Sequence, residues 1–228
     1  MKTSSRLPVF LGLGAAIVAW CSLAYSADQG PITNFSTPAA LFRGASEGGA
    51  NAALLLGRMY ESGSGTVAGR SMEAAVYWYT RATQIAEVTP KKDMVYVNEF
   101  AREAAHRLGF IYEYGDQGIP KDEKLAAYWY LKAAEKGYYP AQYNLGAMYA
   151  QNLITPPNDV EGYKWFLLAQ RQTDGCTFDP QCRFVTADPP GHIKRLRARM
   201  TPAQIAEAER LFNAWKPISL WLPAPASD

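Results

Sequence analysis

The stretch that decides the fold is residues 134–169, which read AEKGYYPAQYNLGAMYAQNLITPPNDVEGYKWFLLA. Ala141, Leu145 and Tyr149 recur every four residues, as residues on one face of an α-helix do. A second apolar run with helical spacing follows a break that is rich in Pro and Asn. The pattern predicts two short helices joined by a turn. Neither helix could bury its apolar face alone, so we expect the unit to recur along the chain.

Two further copies of this unit lie upstream. The three copies share an alanine in the first helix (Ala52, Ala104, Ala141), a Leu-Gly pair (Leu56-Gly57, Leu108-Gly109, Leu145-Gly146), a tyrosine (Tyr60, Tyr112, Tyr149), and in the second helix a tryptophan (Trp78, Trp129, Trp165) and an alanine (Ala82, Ala133, Ala169). Small residues at helix crossings with aromatic residues between them are typical of packed helix layers. We therefore interpret these positions as core and not as catalytic or cofactor contacts.

The spacing of the copies is uneven. The glycines of the Leu-Gly pairs are 37 residues apart between the last two copies and 52 apart between the first two. The middle copy has Phe100 where the other two have a turn glycine, Gly48 or Gly137. We therefore expect the 15 extra residues to lengthen two helices, one from residue 72 to about 88 and one from near residue 93. The turn between them would lie around residue 90.

The N-terminal 26 residues have the character of an export signal. Lys2 and Arg6 precede an apolar run, and Ala24-Tyr25-Ser26 places small residues before a cleavage point. We predict cleavage after Ser26 and a periplasmic or secreted protein. The alternative is an uncleaved membrane anchor, but proline and glycine interrupt the run, which is shorter than the roughly 20 residues of a span. Because the segment holds two basic and no acidic residues, its loss takes the formal net charge from +2 to zero.

A neutral chain has no general attraction for nucleic acid or for anionic lipid. We therefore expect neither a nucleic-acid partner nor, after cleavage of the signal, a stable membrane span.

Two cysteines remain after cleavage, Cys176 and Cys182, with Asp179-Pro180 between them. The even count, the close spacing and an oxidising destination favour a disulfide. A ring this small would stabilise a local loop by about 2 kcal/mol. A metal site that includes His192 is the alternative, but it lacks a fourth ligand nearby and the usual short spacing of the cysteines.

Both ends of the array carry signals for capping helices. Thr37-Pro38 is suited to the N-cap and first turn of a short helix over 39–45. Near the C terminus, helical periodicity returns over 193–200, and Thr201-Pro202-Ala203-Gln204 supplies a capping box for a helix that ends at Pro217. A terminal helix pair of this kind covers the last repeat of an array.

The shared pattern is Ala-x-x-x-Leu-Gly-x-Met/Ile-Tyr, followed about twenty residues later by Trp-Tyr/Phe-x-x-Ala. It resembles the Sel-one-like repeat, a branch of the tetratricopeptide-type helical arrays, over about residues 45–169, and residues 200–217 are similar to the closing segments of many bacterial members. The resemblance implies an all-α fold, a right-handed α-α superhelical solenoid of about three helix-turn-helix repeats with a C-terminal capping helix pair. It also implies a non-enzymatic protein-interaction adaptor, here of the bacterial envelope.

The chain is accordingly divided into five parts. These are a signal peptide (1–26), an N-terminal lead with a short capping helix (27–44), three repeats (45–169, about 45–82, 93–134 and 134–169), a cysteine loop with capping helices (170–216), and a flexible tail (217–228).

The resemblance implies a groove lined by the first helix of each repeat, and helix geometry gives its residues. The residue two positions before each Leu-Gly leucine points away from that core leucine. The residues four and seven positions after this one share its direction. This stripe consists of Leu54, Arg58, Glu61, His106, Phe110, Glu113, Tyr143, Ala147 and Ala150. We expect the stripe to bind a protein partner, as a peptide or a helix. The alternative is that His106 and Phe110 pack against the long hairpin or a neighbouring helix.

Catalysis has little support in the sequence. His106 and His192 are the only histidines, and no nucleophile stands in a recognisable relation to either. We expect no cofactor and no metal. The basic residues Lys194, Arg195, Arg197 and Arg199 are interpreted as a solvated helix face. Two other functions remain open, namely binding of cell-wall glycan or peptidoglycan fragments through exposed Tyr and Trp, and a cell-wall hydrolase with a converging carboxylate or His pair.

Overall fold

The computed structural model describes residues 37–64, 69–89, 94–154, 157–173 and 189–217, without the side chains of 94–96 and 172–173. These ranges form α1 (Pro38–Ser46), α2 (Ala50–Ser62), α3 (Met72–Val88), α4 (Met94–Tyr114), α5 (Glu123–Glu135), α6 (Tyr139–Ala150), α7 (Asp159–Thr173), α8 (Pro189–Arg197) and α9 (Pro202–Ala214). Their only β-type pairing is one bridge in the α4–α5 turn, between Asp116 and Ile119.

Several expectations from the sequence fall outside the described residues, among them the N-terminal lead up to residue 36. The others are the signal peptide (1–26), the turn around Pro90, the cysteine pair (Cys176 and Cys182) and the tail beyond residue 217.

Side-chain caps fix where several helices begin. Thr37, Ser71, Asp122 and Thr201 each accept a hydrogen bond from the backbone N–H three residues later, which satisfies a donor that the first turn leaves free. Thr201 also forms the predicted capping box, because the Gln204 side chain accepts from the backbone N–H of Thr201 at 2.8 Å.

The helices stack as successive antiparallel pairs. Helix α2 packs on α3, α4 on α5, and α6 on α7, and the second helix of each pair also packs on the first helix of the next. The first helices α2 and α4 contact each other directly. The predicted all-α solenoid of three helix pairs is therefore confirmed.

The glycine of each Leu-Gly pair allows an aromatic ring of the second helix to approach the first helix. A Cβ on Gly57 would lie 2.5 Å from the Tyr79 ring, and one on Gly109 would lie 2.5 Å from the Tyr130 ring. Both tyrosines are fully buried. Glycine therefore lets the backbone and the ring pack without a side chain between them.

The long hairpin has the expected bounds, since α3 ends at Val88 and α4 begins at Met94. Gly48 and Gly137 have φ of +93° and +77°, and form turns between helices, whereas Phe100 lies inside α4. An ion pair also joins the extended end of α3 to α5, with Lys132 Nζ 2.8 Å from Glu87 Oε1. Where the other repeats have a turn glycine, the second repeat has Phe100, and α4 continues through this position.

The two ends of the array are covered differently. Helix α1 packs on α2, while α8 and α9 both pack on α7. Trp215 directly follows α9, and its ring centroid lies 6.4 Å from that of Trp165. The predicted bounds of the first closing helix, 193–200, were wrong, because α8 runs from Pro189 to Arg197. Proline is compatible with the first turn of a helix, because the N–H groups of that turn make no hydrogen bond within the helix.

Candidate partner-binding surface

The predicted stripe runs along the first helices of the repeats, but most of its members contact other parts of the chain. Leu54 is only 3% exposed and belongs to the same core cluster as Leu41 and Ala45 of α1. The expectation that Leu54 lines a groove is therefore wrong. Its face of α2 is covered because α1 packs against α2.

Arg58 and Glu61, the charged members on α2, pair with residues of α4. Arg58 forms an ion pair with Glu103, and the Arg58 side chain stays about half exposed. Glu61 accepts bonds from Arg107, whose Nη2 lies 2.9 Å and Nε 3.1 Å from Glu61 Oε2. The Tyr79 hydroxyl donates to the same oxygen at 2.5 Å. Burial raises the pKa of Tyr79, and the hydrogen bond to Glu61 adds to the rise. These contacts join the first repeat to the second.

Glu113, in the second repeat, is held by a tyrosine in the same way as Glu61. The Tyr130 hydroxyl donates to Glu113 Oε2 at 2.6 Å, and burial together with the charge of Glu113 raises the pKa of Tyr130. Asn144 of α6 also hydrogen-bonds to Tyr130. Its Nδ2 lies 3.2 Å from Nε2 of His106. A polar network therefore links α4, α5 and α6.

His106 packs between aromatic rings. Its ring centroid lies 5.6 Å from that of Tyr130 and 5.3 Å from that of Tyr138. Burial, together with the charge of Arg107, lowers the pKa of His106 to about 3. The imidazole is thus neutral at physiological pH and accepts from Asn144. The alternative of packing against a neighbouring helix, weighed from the sequence, is the arrangement that the structure shows for His106.

Tyr143 and Ala147 on α6 are covered by the chain's own C-terminal helices. The Tyr143 hydroxyl lies 3.0 Å from Nε2 of His192 on α8. Ala147 and Ala150 pack against the core cluster that contains Leu196 of α8. Because α8 contacts α6 here, these residues are only partly exposed, and this part of the stripe is less open to a partner than expected.

The first two repeats each have a hydrogen-bonded Glu–Tyr pair, Glu61 with Tyr79 and Glu113 with Tyr130. In the third repeat both members of this Glu–Tyr pair are replaced. Ala150 stands at the position of Glu61 and Glu113, and Phe166 stands at the position of Tyr79 and Tyr130. Both partners are apolar there, so no buried polar group is left without a hydrogen bond.

Phe110 is the apolar stripe member that stays exposed, with 43% of its surface accessible. Its ring centroid lies 4.7 Å from that of Tyr114, one helical turn later and 64% exposed. We call these two residues the aromatic pair. Sequence reasoning missed Tyr114, although its spacing of four residues from Phe110 was visible.

The described residues give no sign of a metal site or a membrane span. Within them, no group of three or more His, Cys, Asp or Glu side chains is placed to hold a metal ion. Nor does any described helix combine the length and the apolar character needed to cross a membrane.

Comparison with known proteins identifies the repeats. The Sel1 repeat family matches residues 50–84, 102–138 and 140–174. A curated relative, the chitin synthase regulator SKT5 of Malassezia restricta, is 35% identical over 71 residues, which is 30% of this chain and 5% of the relative. This chain thus spans a small fraction of that relative's length.

Two solved structures are similar to the chain. The Sel1 repeat protein from Oxalobacter formigenes is 25% identical with a TM-score of 0.48, over 69% of this chain and 95% of that one. A protective antigen of uropathogenic Escherichia coli is 22% identical with a TM-score of 0.41, over 84% of this chain and 44% of that one.

Each matched segment coincides with one helix pair, namely α2–α3, α4–α5 and α6–α7. Repeats of this family generally mediate protein–protein interactions and are generally non-catalytic. The chain therefore belongs to the Sel1 repeat proteins and carries three copies of the repeat.

Proposed function

We propose that this chain is an exported adaptor of the bacterial cell envelope that binds a protein partner at the aromatic pair, Phe110 and Tyr114. The single observation that carries the proposal is the exposure of these two rings on α4, the helix on which His106 and Glu113 contact other parts of the chain. The repeat family supports a protein partner.

The aromatic pair has the physical properties of a binding anchor. Aromatic side chains bury a large area and have few rotatable bonds, so their burial at an interface is favourable at a small entropic cost. The pair also lies within α4, a helix of 21 residues whose neighbours are α2, α3 and α5. A rigid support lowers the free energy lost in ordering the surface on binding.

Affinity measurements with a matched control test the binding site. The double variant Phe110→Ala with Tyr114→Ala removes both rings. Tyr77→Ala removes a ring of similar exposure, 44%, from the second helix of the first repeat. We expect partners captured from an envelope extract, once identified and purified, to bind the double variant at least tenfold more weakly than the wild type. Tyr77→Ala should bind as the wild type does.

Equal affinity of the wild type and the double variant would contradict the proposed site. Purified cell-wall sacculi test the other candidate class directly. If the wild type sediments with sacculi and the double variant does not, the ligand of the aromatic pair is cell-wall glycan and not a protein.

The export part of the proposal has a separate test. The leader pattern motivates it, because a basic start, an apolar run and small residues before position 27 are typical of cleaved signals. We expect the protein purified from the cell envelope to begin at Ala27, as intact-mass measurement would show. A chain that begins at Met1 and stays with the membrane would support the uncleaved anchor instead.

A further inference from the structure

The first two repeats differ in how the carboxylate of the Glu–Tyr pair is neutralised. Glu61 and Glu113 occupy equivalent positions, and each accepts a hydrogen bond from a tyrosine of its second helix. Glu61 also receives two bonds from the guanidinium of Arg107, on the first helix of the next repeat. The negative charge of Glu61 is therefore compensated within the chain.

Asn144 takes the place of Arg107 one repeat later. Both residues immediately precede the leucine of a Leu-Gly pair, and each hydrogen-bonds to the tyrosine of the preceding repeat. Because the Asn144 amide is neutral, it cannot compensate the charge of Glu113. In the described part of the chain, no ion pair to Glu113 is found.

Lys121 is a cation that acts on Glu113 at longer range, and it is engaged elsewhere. Its Nζ lies 2.7 Å from Glu123 Oε1, and its side chain is more than half exposed. Glu123, and only more weakly Glu113, raises the pKa of Lys121. The carboxylate of Glu113 is partly buried, and its hydrogen-bond partner is the neutral hydroxyl of Tyr130. Glu61 has the cation Arg107 in addition to its tyrosine.

The aromatic pair adds a second, independent observation at the same place. Phe110 and Tyr114 lie on the same turn of α4 as Glu113, and the charge of Glu113 raises the pKa of Tyr114. The equivalent residues are Arg58 and Ser62 in the first repeat, and Ala147 and Gln151 in the third. The repeat that lacks the internal cation is therefore the one with two exposed rings beside its carboxylate.

We propose that Glu113, Phe110 and Tyr114 form a binding site for an arginine side chain of the partner protein. The partner's guanidinium would bind the carboxylate of Glu113 as Arg107 binds Glu61, and would pack on the exposed rings. Arginine fits better than lysine, because its planar group binds a carboxylate through two bonds and stacks on aromatic faces. This inference rests on the proposed function and names the chemistry of the partner at that site.

Short blocked peptides with one variable central residue provide the probe. The purified, isotope-labelled protein is titrated with peptides whose central residue is arginine, lysine or citrulline, and binding is followed by the NMR shifts of the α4 amides. We expect saturable shifts around residues 110–114 with the arginine peptide. The citrulline peptide, which keeps the shape but lacks the charge, should bind at least tenfold more weakly, as expected for loss of a charge-assisted hydrogen bond. Equal binding of the two peptides would overturn the proposal.

Two variants test the comparison between the repeats. Glu113→Gln removes the charge and keeps an acceptor for Tyr130, and Asn144→Arg supplies the internal cation found in the first repeat. Both variants should bind the arginine peptide at least tenfold more weakly than the wild type does. Glu99→Gln removes an exposed carboxylate of the same helix and should leave binding unchanged. Full binding to Glu113→Gln and to Asn144→Arg, with native circular dichroism, would contradict the site.

Failure of this inference is distinguishable from failure of the proposed function. If the identified partner loses affinity for the Phe110→Ala, Tyr114→Ala double variant but binds Glu113→Gln normally, the adaptor function holds and the arginine site is wrong. If the partner binds all of these variants normally, both are wrong.

Discussion

The glycines of the Leu-Gly pairs differ in how closely the facing ring approaches. A Cβ on Gly109 would lie 2.5 Å from the ring of the fully buried Tyr130, and one on Gly146 would lie 3.1 Å from that of Phe166. An added methyl group is thus a clash at the first position and only a tight contact at the second.

Alanine at these two positions should therefore have unequal effects. Alanine favours the helix by up to about 1 kcal/mol over glycine, but overpacking costs about 1–3 kcal/mol. We expect Gly109→Ala to lower the free energy of unfolding by about 2 kcal/mol and Gly146→Ala to lower it by less, both measured by urea denaturation. A stabilised Gly109→Ala variant would contradict the packing described.

His106 makes stability depend on pH. Its folded-state pKa is about 3, below the value of about 6.5 expected in the unfolded chain, so below pH 6.5 the unfolded chain binds a proton that the folded chain does not. The contribution of His106 is therefore fully present above pH 6.5 and is lost as the pH falls toward 3. Because the residue is only half-buried, we expect a loss of about 1–2 kcal/mol between pH 7 and pH 5.

The variant His106→Gln isolates this effect. Urea denaturation at pH 7 and pH 5 should show a smaller loss of stability in the variant than in the wild type. The same pH dependence in both proteins would mean that His106 is not held neutral in the folded state.

The sequence placed the stripe residues correctly on the first helices but could not show what covers them. Spacing gives the direction of a side chain on its own helix. Leu54, however, is buried because α1 packs on α2, and Tyr143 is covered by α8. Both contacts come from elements outside the repeats, whose placement depends on the tertiary fold. The exposure of Phe110 follows the predicted direction because no described element lies over it.

At the scale of elements, α8 depends on a polar contact with the last repeat. The Tyr143 hydroxyl bonds His192, and the His192 ring stacks on Phe166 with centroids 4.8 Å apart. Since α8 has few residues to bury, with Pro189 and Leu196 its buried positions, the hydrogen bond is a sizeable part of its attachment.

Tyr143→Phe should therefore loosen α8 locally. A net hydrogen bond contributes about 0.5–1.5 kcal/mol, which corresponds to roughly two- to twelvefold faster amide exchange over residues 189–197. Exchange in α2 and α3 should not change, and Tyr149→Phe on the same helix is the control. Unchanged exchange in α8 would show that Tyr143 does not hold this helix.

The long hairpin was predictable, whereas the start of α8 was not. The extra residues and the replacement of a turn glycine by Phe100 are local signals, and the bounds of α3 and α4 agree with them. Helix α8 begins with two prolines and a glycine, Pro189-Pro190-Gly191, which individually predict a loop. Packing on α7 outweighs that local preference.

At the scale of the whole molecule, the array is regular in its core and irregular on its surface. The core positions repeat because each helix pair must fit the next. Differences between the copies are free to accumulate at outward positions. The clearest of them is the aromatic pair beside Glu113, which has no ion pair within the described residues, whereas Glu61 pairs with Arg107. The repeats thus account for the fold, and we propose that the second repeat carries the surface that binds the partner. The comparison of the copies could have been made from the sequence, but the pairing of Glu61 with Arg107 required the structure.

Site-specific photo-crosslinking in cells tests most directly whether the aromatic pair binds a protein partner. A photoreactive phenylalanine analogue is placed at Tyr114. As the control, it is placed at Tyr77, which is also an exposed tyrosine but lies on α3, the second helix of the first repeat. We expect a discrete crosslinked protein from position 114 and none from position 77. Equal crosslinking at both positions, or a partner captured at 77 and not at 114, would contradict it.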